Sequence, residues 1–335
     1  MLAVLWSGCV SKLPLDDSPW PCPEAQGYLC CGEGAAARCV RAAAGNQCPG
    51  NGDVAPPIVR RVLTVAIGDR HACILREDGN ISCMGDNSKG QASPPAGYYG
   101  YLVAGGDVTC ATSGGQANVN DRDFVCWGDN SYGVASPPSN VYYVTALGPR
   151  HGCGLDMTRT TSICWGDNTF GQTTVPPGDV RAMAVGRNHT CGIKLVTTAD
   201  LQSNHIVCWG DNSLGQATPP DVFVPSGSRM AAAGDRTCFL GVAGGIVCWG
   251  DQAGGRSAPP SGNFDSFAVA AGHACALEHF SNTISCWGDD WGDTNPIPPP
   301  GRFISVLGGE FFFCATPFTD PYDWTCWGPT YQTVK

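Results

Sequence analysis

Cysteine is the residue type in this sequence whose number and spacing point most directly to chemistry. The 335 residues include 20 cysteines, and fourteen of these form pairs whose members are 10 to 17 residues apart. Paired thiols oxidise to disulfides in an oxidising compartment, whereas in a reducing compartment they would stay as buried free thiols. The pairs are Cys73–Cys83, Cys110–Cys126, Cys153–Cys164, Cys191–Cys208, Cys238–Cys248, Cys275–Cys286 and Cys314–Cys326.

Histidine and aspartate recur beside these cysteines and could form an acid–base or metal-binding set. Equivalent positions of a repeat are spread around a structure, however, so they do not converge on one small site. In other copies of the repeat, Val108 and Phe312 stand two residues before a paired cysteine, where these histidines occur. Apolar residues at the same place favour a packing role for the position. The sequence also lacks a nucleophile–base motif, so we predict no catalytic residue, no metal site and no cofactor. The histidines two residues before a paired cysteine are His71, His151, His189 and His273.

The paired cysteines belong to a repeat that extends over most of the chain. The sequence CWGDN or a close variant occurs seven times, at intervals of 38 to 44 residues. In each copy two segments alternate as strands do, and Gly, Asp, Asn and Pro mark the turns. Three to four short strands in about 40 residues are typical of a β-propeller blade. We therefore predict an all-β, seven-bladed propeller with tryptophans packed between the blades. The 45 glycines and 26 prolines disfavour a helical solenoid.

Hairpin geometry predicts how the cysteines pair. A three-residue loop over 77–79 places Cys73 opposite Cys83, and a loop over 242–244 does the same for Cys238 and Cys248. Directly opposed residues in an antiparallel pair lie within disulfide range. We therefore expect one disulfide inside each of the seven blades.

The N-terminal segment differs from the repeats. Residues 1–8, MLAVLWSG, resemble the end of a bacterial lipoprotein signal, which makes Cys9 a candidate for lipidation. The alternative is that Cys9 joins a disulfide. Residues 9–50 hold six cysteines and few apolar residues, which indicates a cysteine-rich tether or small disulfide module. The propeller would then span 51–335, with a strand near 51–57 closing the ring, because NGDVAPP is similar to the repeat sequence GQATPP.

The repeat resembles the regulator-of-chromosome-condensation repeat family. Its pattern G-x-x-H, then D-G-x-V, then W-G-x-N-x-x-G-Q is similar to GDRHACIL…DGNISCMGDNSKGQ here. Cysteine pairing within the repeat is closer to the extracellular branch, typified by the crinkly-type plant receptor-kinase ectodomain. The resemblance implies a propeller over about residues 54–335. It does not carry over the chromatin-binding, nucleotide-exchange activity, since this chain is acidic and its cysteines are paired.

The composition narrows the class of partner. The net charge of −10 argues against nucleic acid, and no apolar stretch is long enough to span a membrane, so only a lipid anchor would attach the chain to one. We expect a monomeric, non-enzymatic, protein-binding propeller on the bacterial envelope or secreted from the cell. An inhibitor of a secreted enzyme, similar to β-lactamase-inhibitor propellers, is the alternative, followed by a hydrolase or lyase. Aromatic residues favoured at interfaces are Tyr98, Tyr99, Tyr101, Tyr142, Tyr143, Phe311 and Phe312.

Overall fold

A computed structural model describes most of the repeat region and two short N-terminal strands. The described residues are 28–31, 38–41, 62–113, 124–141, 143–156, 158, 160–197, 202–289, 297–319 and 324–328. The chain divides into two compact units, Met1–Arg60 and Arg61–Lys335. Among the described residues, no helix has the length and apolar character needed to cross a bilayer.

The described residues of the first unit form an antiparallel pair of strands, β1 (Tyr28–Cys31) and β2 (Arg38–Arg41). Their register places Cys30 opposite Cys39. The predicted signal remnant, the lipidation candidate Cys9 and the expected ring-closing strand near 51–57 lie outside the described residues.

The second unit contains seven antiparallel sheets of three strands each within its described part, one sheet per sequence repeat. The sheets are β3 (Val62–Ile67), β4 (His71–Arg76) and β5 (Ile81–Gly85); β6 (Tyr99–Gly105), β7 (Val108–Ser113) and β8 (Phe124–Gly128); β9 (Tyr143–Leu147), β10 (His151–Leu155) and β11 (Ser162–Gly166); β12 (Asp179–Val185), β13 (His189–Thr197) and β14 (Gln202–Gly210); β15 (Arg229–Ala233), β16 (Arg236–Leu240) and β17 (Ile246–Gly250); β18 (Phe264–Val269), β19 (His273–Glu278) and β20 (Ile284–Gly288); β21 (Phe303–Gly308), β22 (Phe313–Pro317) and β23 (Thr325–Trp327).

Each sheet is one blade, with its second strand in the middle. The first strands of successive blades lie next to one another, so they form the inner edge of the ring, and the third strands form the outer edge. The ring closes by direct packing of blade 7 on blade 1, where Phe312 and Cys314 share a core cluster with Ile67 and Ala72. The predicted all-β, seven-bladed propeller is therefore confirmed.

One disulfide joins the middle strand of every blade to the outer strand. In each blade the two cysteines are opposed in the strand register, as Cys73 and Cys83 are in blade 1. The cysteine on the middle strand is almost completely buried, so the bridge is part of the core. The disulfides join Cys73 to Cys83, Cys110 to Cys126, Cys153 to Cys164, Cys191 to Cys208, Cys238 to Cys248, Cys275 to Cys286 and Cys314 to Cys326.

One end of the ring carries two kinds of connection, and we call this end the loop face. It consists of the turns from inner to middle strands, over 68–70, 106–107, 148–150, 186–188, 234–235, 270–272 and 309–312, and the loops that follow the outer strands. The amide of Asp86, which begins one such loop, donates to the carbonyl of Arg70 in the turn of the same blade at 2.9 Å. The same bond recurs in five further blades, so each loop lies against its turn. The loops begin at Asp86, Asp129, Asp167, Asp211, Asp251 and Asp289.

Candidate binding surface

Five of the recurring tryptophans and three of the four recurring histidines form hydrogen bonds between neighbouring blades. Nε1 of Trp209 in blade 4 donates to the carbonyl of Gln172 in blade 3 at 2.8 Å. Nε2 of His151 and Oγ1 of Thr190, in blades 3 and 4, are hydrogen-bonded at 2.7 Å. Burial lowers the pKa of His151 to about 3 and outweighs the opposite effect of Asp167, so the imidazole of His151 is neutral at pH 7. These side chains hold the blades together and are not available to a ligand.

The loops of the loop face have the same backbone conformation, which side-chain hydrogen bonds stabilise. In blade 3, Oδ1 of Asp167 accepts from the amide of Thr169 at 3.0 Å, and Oε1 of Gln172 accepts from the amide of Phe170 at 2.8 Å. In blade 1 the equivalent acceptors are Oδ1 of Asp86, bonded by the amide of Ser88, and Oε1 of Gln91, bonded by the amide of Lys89. Gln172 is fully buried, so the loop is anchored in the core. Hydrogen bonds of this kind hold a loop in one conformation before any partner arrives.

A single position in this loop changes from blade to blade and faces solvent. It holds Lys89, Tyr132, Phe170 and Leu214 in blades 1 to 4. Tyr132 is 44% exposed, Phe170 48% and Leu214 51%. The glycine that follows each of them has a positive φ, 82° at Gly171, which ends the turn identically in these four blades. Sequence reasoning did not single out this position, although its changing residue type within a constant loop was visible.

The loops of blades 2, 3 and 4 are neighbours. The guanidinium of Arg150 lies 5.0 Å from the ring centre of Tyr132 and 3.8 Å from the carboxylate of Asp167, so it bridges the first two loops. The loop of blade 3 meets blade 4 through the bond from Trp209 to Gln172, two residues after Phe170. Tyr132, Phe170 and Leu214 therefore form a row across three adjacent blades, which we call the apolar row.

The inner–middle turns converge at the centre of the loop face. Arg187 of blade 4 lies 3.2 Å from the carboxylate of Asp235 in blade 5 and 3.8 Å from that of Glu310 in blade 7. Burial, followed by the neighbouring Glu310 and Asp107, raises the pKa of Asp69 to about 8, so Asp69 holds a proton at pH 7. No group of three or more His, Cys, Asp or Glu side chains in the described residues is arranged to hold a metal ion.

The predicted aromatic binding residues separate into two sets. Tyr99 and Phe312 are 4% and 0% exposed, so these two are corrected to core residues. The hydroxyl of Tyr99 donates to the carbonyl of Pro95 at 2.7 Å, which satisfies its polar atom inside the protein.

The other predicted aromatic residues lie at opposite ends of the ring. Tyr98 and Tyr101 are exposed, and Tyr98 covers Gly79 at the end away from the loop face. Half-buried Phe311 lies on the loop face, where Arg70 stands 5.0 Å from its ring centre. Tyr143 is half-buried at the start of its inner strand, and Tyr142 lies outside the described residues. The structure does not bring the predicted set together as one patch.

A carboxylate–histidine pair occurs in blade 6. Nδ1 of His279 lies 2.6 Å from Oδ1 of Asp265, beside an open cleft of about 330 Å³. This contact is half of a hydrolase triad, which also needs a hydroxyl at the other ring nitrogen. The nearest serine in sequence, Ser281, instead donates to the carboxylate of Glu278 at 2.7 Å. Both members of the pair are exposed to water, so the arrangement does not support a hydrolytic site.

Comparisons with known proteins agree with the blade architecture. Residues 62–91 match the model of the regulator of chromosome condensation (RCC1) repeat. The ectodomain of the Physcomitrella patens receptor kinase CR4 is 24% identical, with a TM-score of 0.62 over 79% of this chain and 72% of that chain. The CRINKLY WD40 ectodomain of the Arabidopsis thaliana receptor kinase ACR4 is 22% identical, with a TM-score of 0.64 over 80% of this chain and 95% of that chain. No curated protein sequence matches the chain. The predicted resemblance to the RCC1 repeat is thus confirmed over residues 62–91, and the fold is a β-propeller with one disulfide in each blade.

Proposed function

We propose that this protein is a non-enzymatic binding propeller that recognises another protein outside the cytoplasm. The observation that carries the proposal is the loop position of Lys89, Tyr132, Phe170 and Leu214, where a constant backbone presents changing, exposed side chains. Packing does not require these side chains. Loops that are already ordered lose little conformational entropy on binding, which suits a recognition surface.

The proposed location follows from the cysteines. Seven disulfides are the pattern of an oxidising compartment. We extend the proposal to a bacterial envelope protein in which Cys9 carries a lipid, residues 9–50 form a tether and a strand near 51–57 joins blade 7, which adds to the direct closure of the ring. A secreted, unlipidated form would present the same surface.

The test is site-specific photo-cross-linking on intact source cells. The oxidised protein would carry benzoylphenylalanine in place of Phe170 on the loop face, or in place of Phe223 as a control. Phe223 is 86% exposed and lies further along the connection to β15, beyond the hydrogen-bonded turn over 211–216, so it reports contact that does not depend on the variable loop position. We expect a discrete cross-linked protein from position 170 that is absent from position 223.

The outcomes separate the proposal from its rivals. No discrete product from position 170, or the same products from both positions, would contradict a binding function on this face. If the cross-linked protein is a secreted enzyme, its activity with and without the propeller distinguishes an inhibitor from a neutral binding partner.

A further inference from the structure

The apolar row is an exposed hydrophobic feature on a face that carries a net negative charge. We propose that Tyr132, Phe170 and Leu214 dock a cationic protein segment that also carries apolar side chains. This inference rests on the proposed function and specifies its surface and the chemistry of its partner.

The apolar row has the geometry of an extended docking site. Its three side chains occupy the same loop position in adjacent blades, and the loops are tied to one another through Arg150 and Trp209. Each side chain has close to half of its surface in water. Large apolar side chains exposed at neighbouring positions of one surface mark interaction sites more often than single exposed residues do.

Charge identifies the kind of partner. The turns of the loop face and the first six residues of its loops, where the structure describes them, carry ten carboxyl groups and five exposed or half-buried cationic groups. With Asp69 protonated, nine carboxylates remain. The carboxyl groups are Asp69, Asp86, Asp107, Asp129, Asp167, Asp211, Asp235, Asp251, Asp289 and Glu310, and the cations are Arg70, Lys89, Arg150, Arg187 and Arg256.

Carboxylates beside the apolar row stay ionised over a wide pH range. Hydrogen bonds from the side chain and the amide of Ser131 lower the pKa of Asp129. The Thr169 side chain chiefly lowers the pKa of Asp167, and Arg150 lowers it further. Lys89 and Arg150 each pair with one of these carboxylates, but carboxylates outnumber cations on the face as a whole. The net charge therefore disfavours an anionic partner, whereas arginine or lysine flanking apolar residues would match both features of the surface.

Model peptides and one matched pair of variants test the inference. The probe is a fluorescein-labelled peptide of alternating arginine and leucine, and its controls are the glutamate–leucine and arginine–glycine peptides. Fluorescence anisotropy would follow binding to the oxidised protein at about 50 and about 300 mM NaCl. The test variant is Tyr132→Ala/Phe170→Ala/Leu214→Ala, and the control variant is Phe223→Ala/Phe280→Ala, which removes two side chains that are more exposed.

We expect the arginine–leucine peptide to bind the wild type and the control variant alike, and to lose about tenfold or more in affinity to the test variant. Salt should weaken binding, and both control peptides should bind more weakly. Failure of the arginine–leucine peptide to bind, or equal affinity for the two variants, would overturn the inference. If a cell-surface protein is cross-linked from position 170 although the arginine–leucine peptide does not bind, the propeller recognises a partner of different chemistry and only this inference fails.

Discussion

At the scale of single residues, two tyrosines two positions apart have opposite roles. Simple strand alternation places Tyr99 and Tyr101 on the same side. The strand register shifts between Tyr99 and Leu102, so a bulge breaks the alternation. Tyr99 packs near Trp127, with ring centres 6.2 Å apart, while Tyr101 is exposed. The sequence marks both as aromatic, but it carries no signal for the bulge that separates them.

Tyr99→Ala should destabilise the protein strongly, and Tyr101→Ala should not. Removing the buried ring leaves a cavity and is expected to lower the free energy of unfolding by about 3–5 kcal/mol. The exposed ring should contribute less than about 1 kcal/mol. Urea unfolding of both variants measures the difference, and equal losses would refute the core assignment of Tyr99.

Acid should destabilise the propeller through its buried histidines. Burial lowers the folded-state pKa of His71 and His189 to about 4 and that of His151 to about 3, below the ordinary 6.5. The unfolded chain therefore takes up protons first, so stability is fully present above pH 6.5 and is lost as the pH falls towards 4. Each such histidine should lower the free energy of unfolding by about 2 kcal/mol as the pH falls from 7 to 5.

His151→Phe tests this pH dependence, because the equivalent position in blade 7 is already Phe312. Oγ1 of Thr190 keeps its bond to the carbonyl of Gln172, so the substitution leaves no unpaired hydroxyl. The free energy of unfolding of the variant, measured at pH 7 and pH 5, should fall less than that of the wild type. An unchanged difference between the two pH values would show that His151 is not the titrating group.

At the scale of the blade, much of the structure follows from local sequence. The opposition of Cys73 and Cys83, and of Cys238 and Cys248, could be predicted from loop length because a hairpin is a short-range structure. The repeat then extends that register to the other blades. The loop hydrogen bonds were predictable as turns, but the buried anchor Gln172 was not, since nothing local shows that a glutamine enters the core.

Removing one bridge should weaken the whole propeller. The double variant Cys238→Ala/Cys248→Ala opens a link between residues ten apart in sequence, which is expected to lower the free energy of unfolding by about 2–3 kcal/mol. Urea unfolding of the oxidised variant and of the oxidised wild type measures this loss of stability. No loss of stability would mean that the bridge does not constrain the unfolded chain.

At the scale of the whole ring, the decisive contacts join residues that are remote in sequence. Asp69, Arg187 and Glu310 belong to blades 1, 4 and 7, yet they meet at the centre of the loop face. Sequence reasoning assigned equivalent repeat positions to separate places around the ring. That holds for the histidines within the blades, but the turns just before them are close to the axis and therefore converge.

Ring closure depends on a glycine in blade 7. A Cβ at Gly309 would overlap the carbonyl oxygen of Gly68 in blade 1, so Gly309→Ala should force the first and last blades apart. Gly171→Ala is the matched control, because no atom lies within 4 Å of its added Cβ and only its φ of 82° opposes the change. The free energy of unfolding, measured with urea for both variants, should fall by about 1 kcal/mol in the control. It should fall markedly more in Gly309→Ala. Equal losses would contradict direct closure of blade 7 on blade 1.

The most direct test of a disulfide-stapled ring outside the cytoplasm is the intact mass of the native protein from its own cells. Thiols would be alkylated before and after reduction, and the mass difference gives the number of cysteines that react only after reduction. Digestion into peptides then shows whether these are the propeller cysteines. The account predicts that all fourteen, from Cys73 to Cys326, are protected until reduction. Alkylation of these cysteines without reduction would place the protein in a reducing compartment and contradict the account.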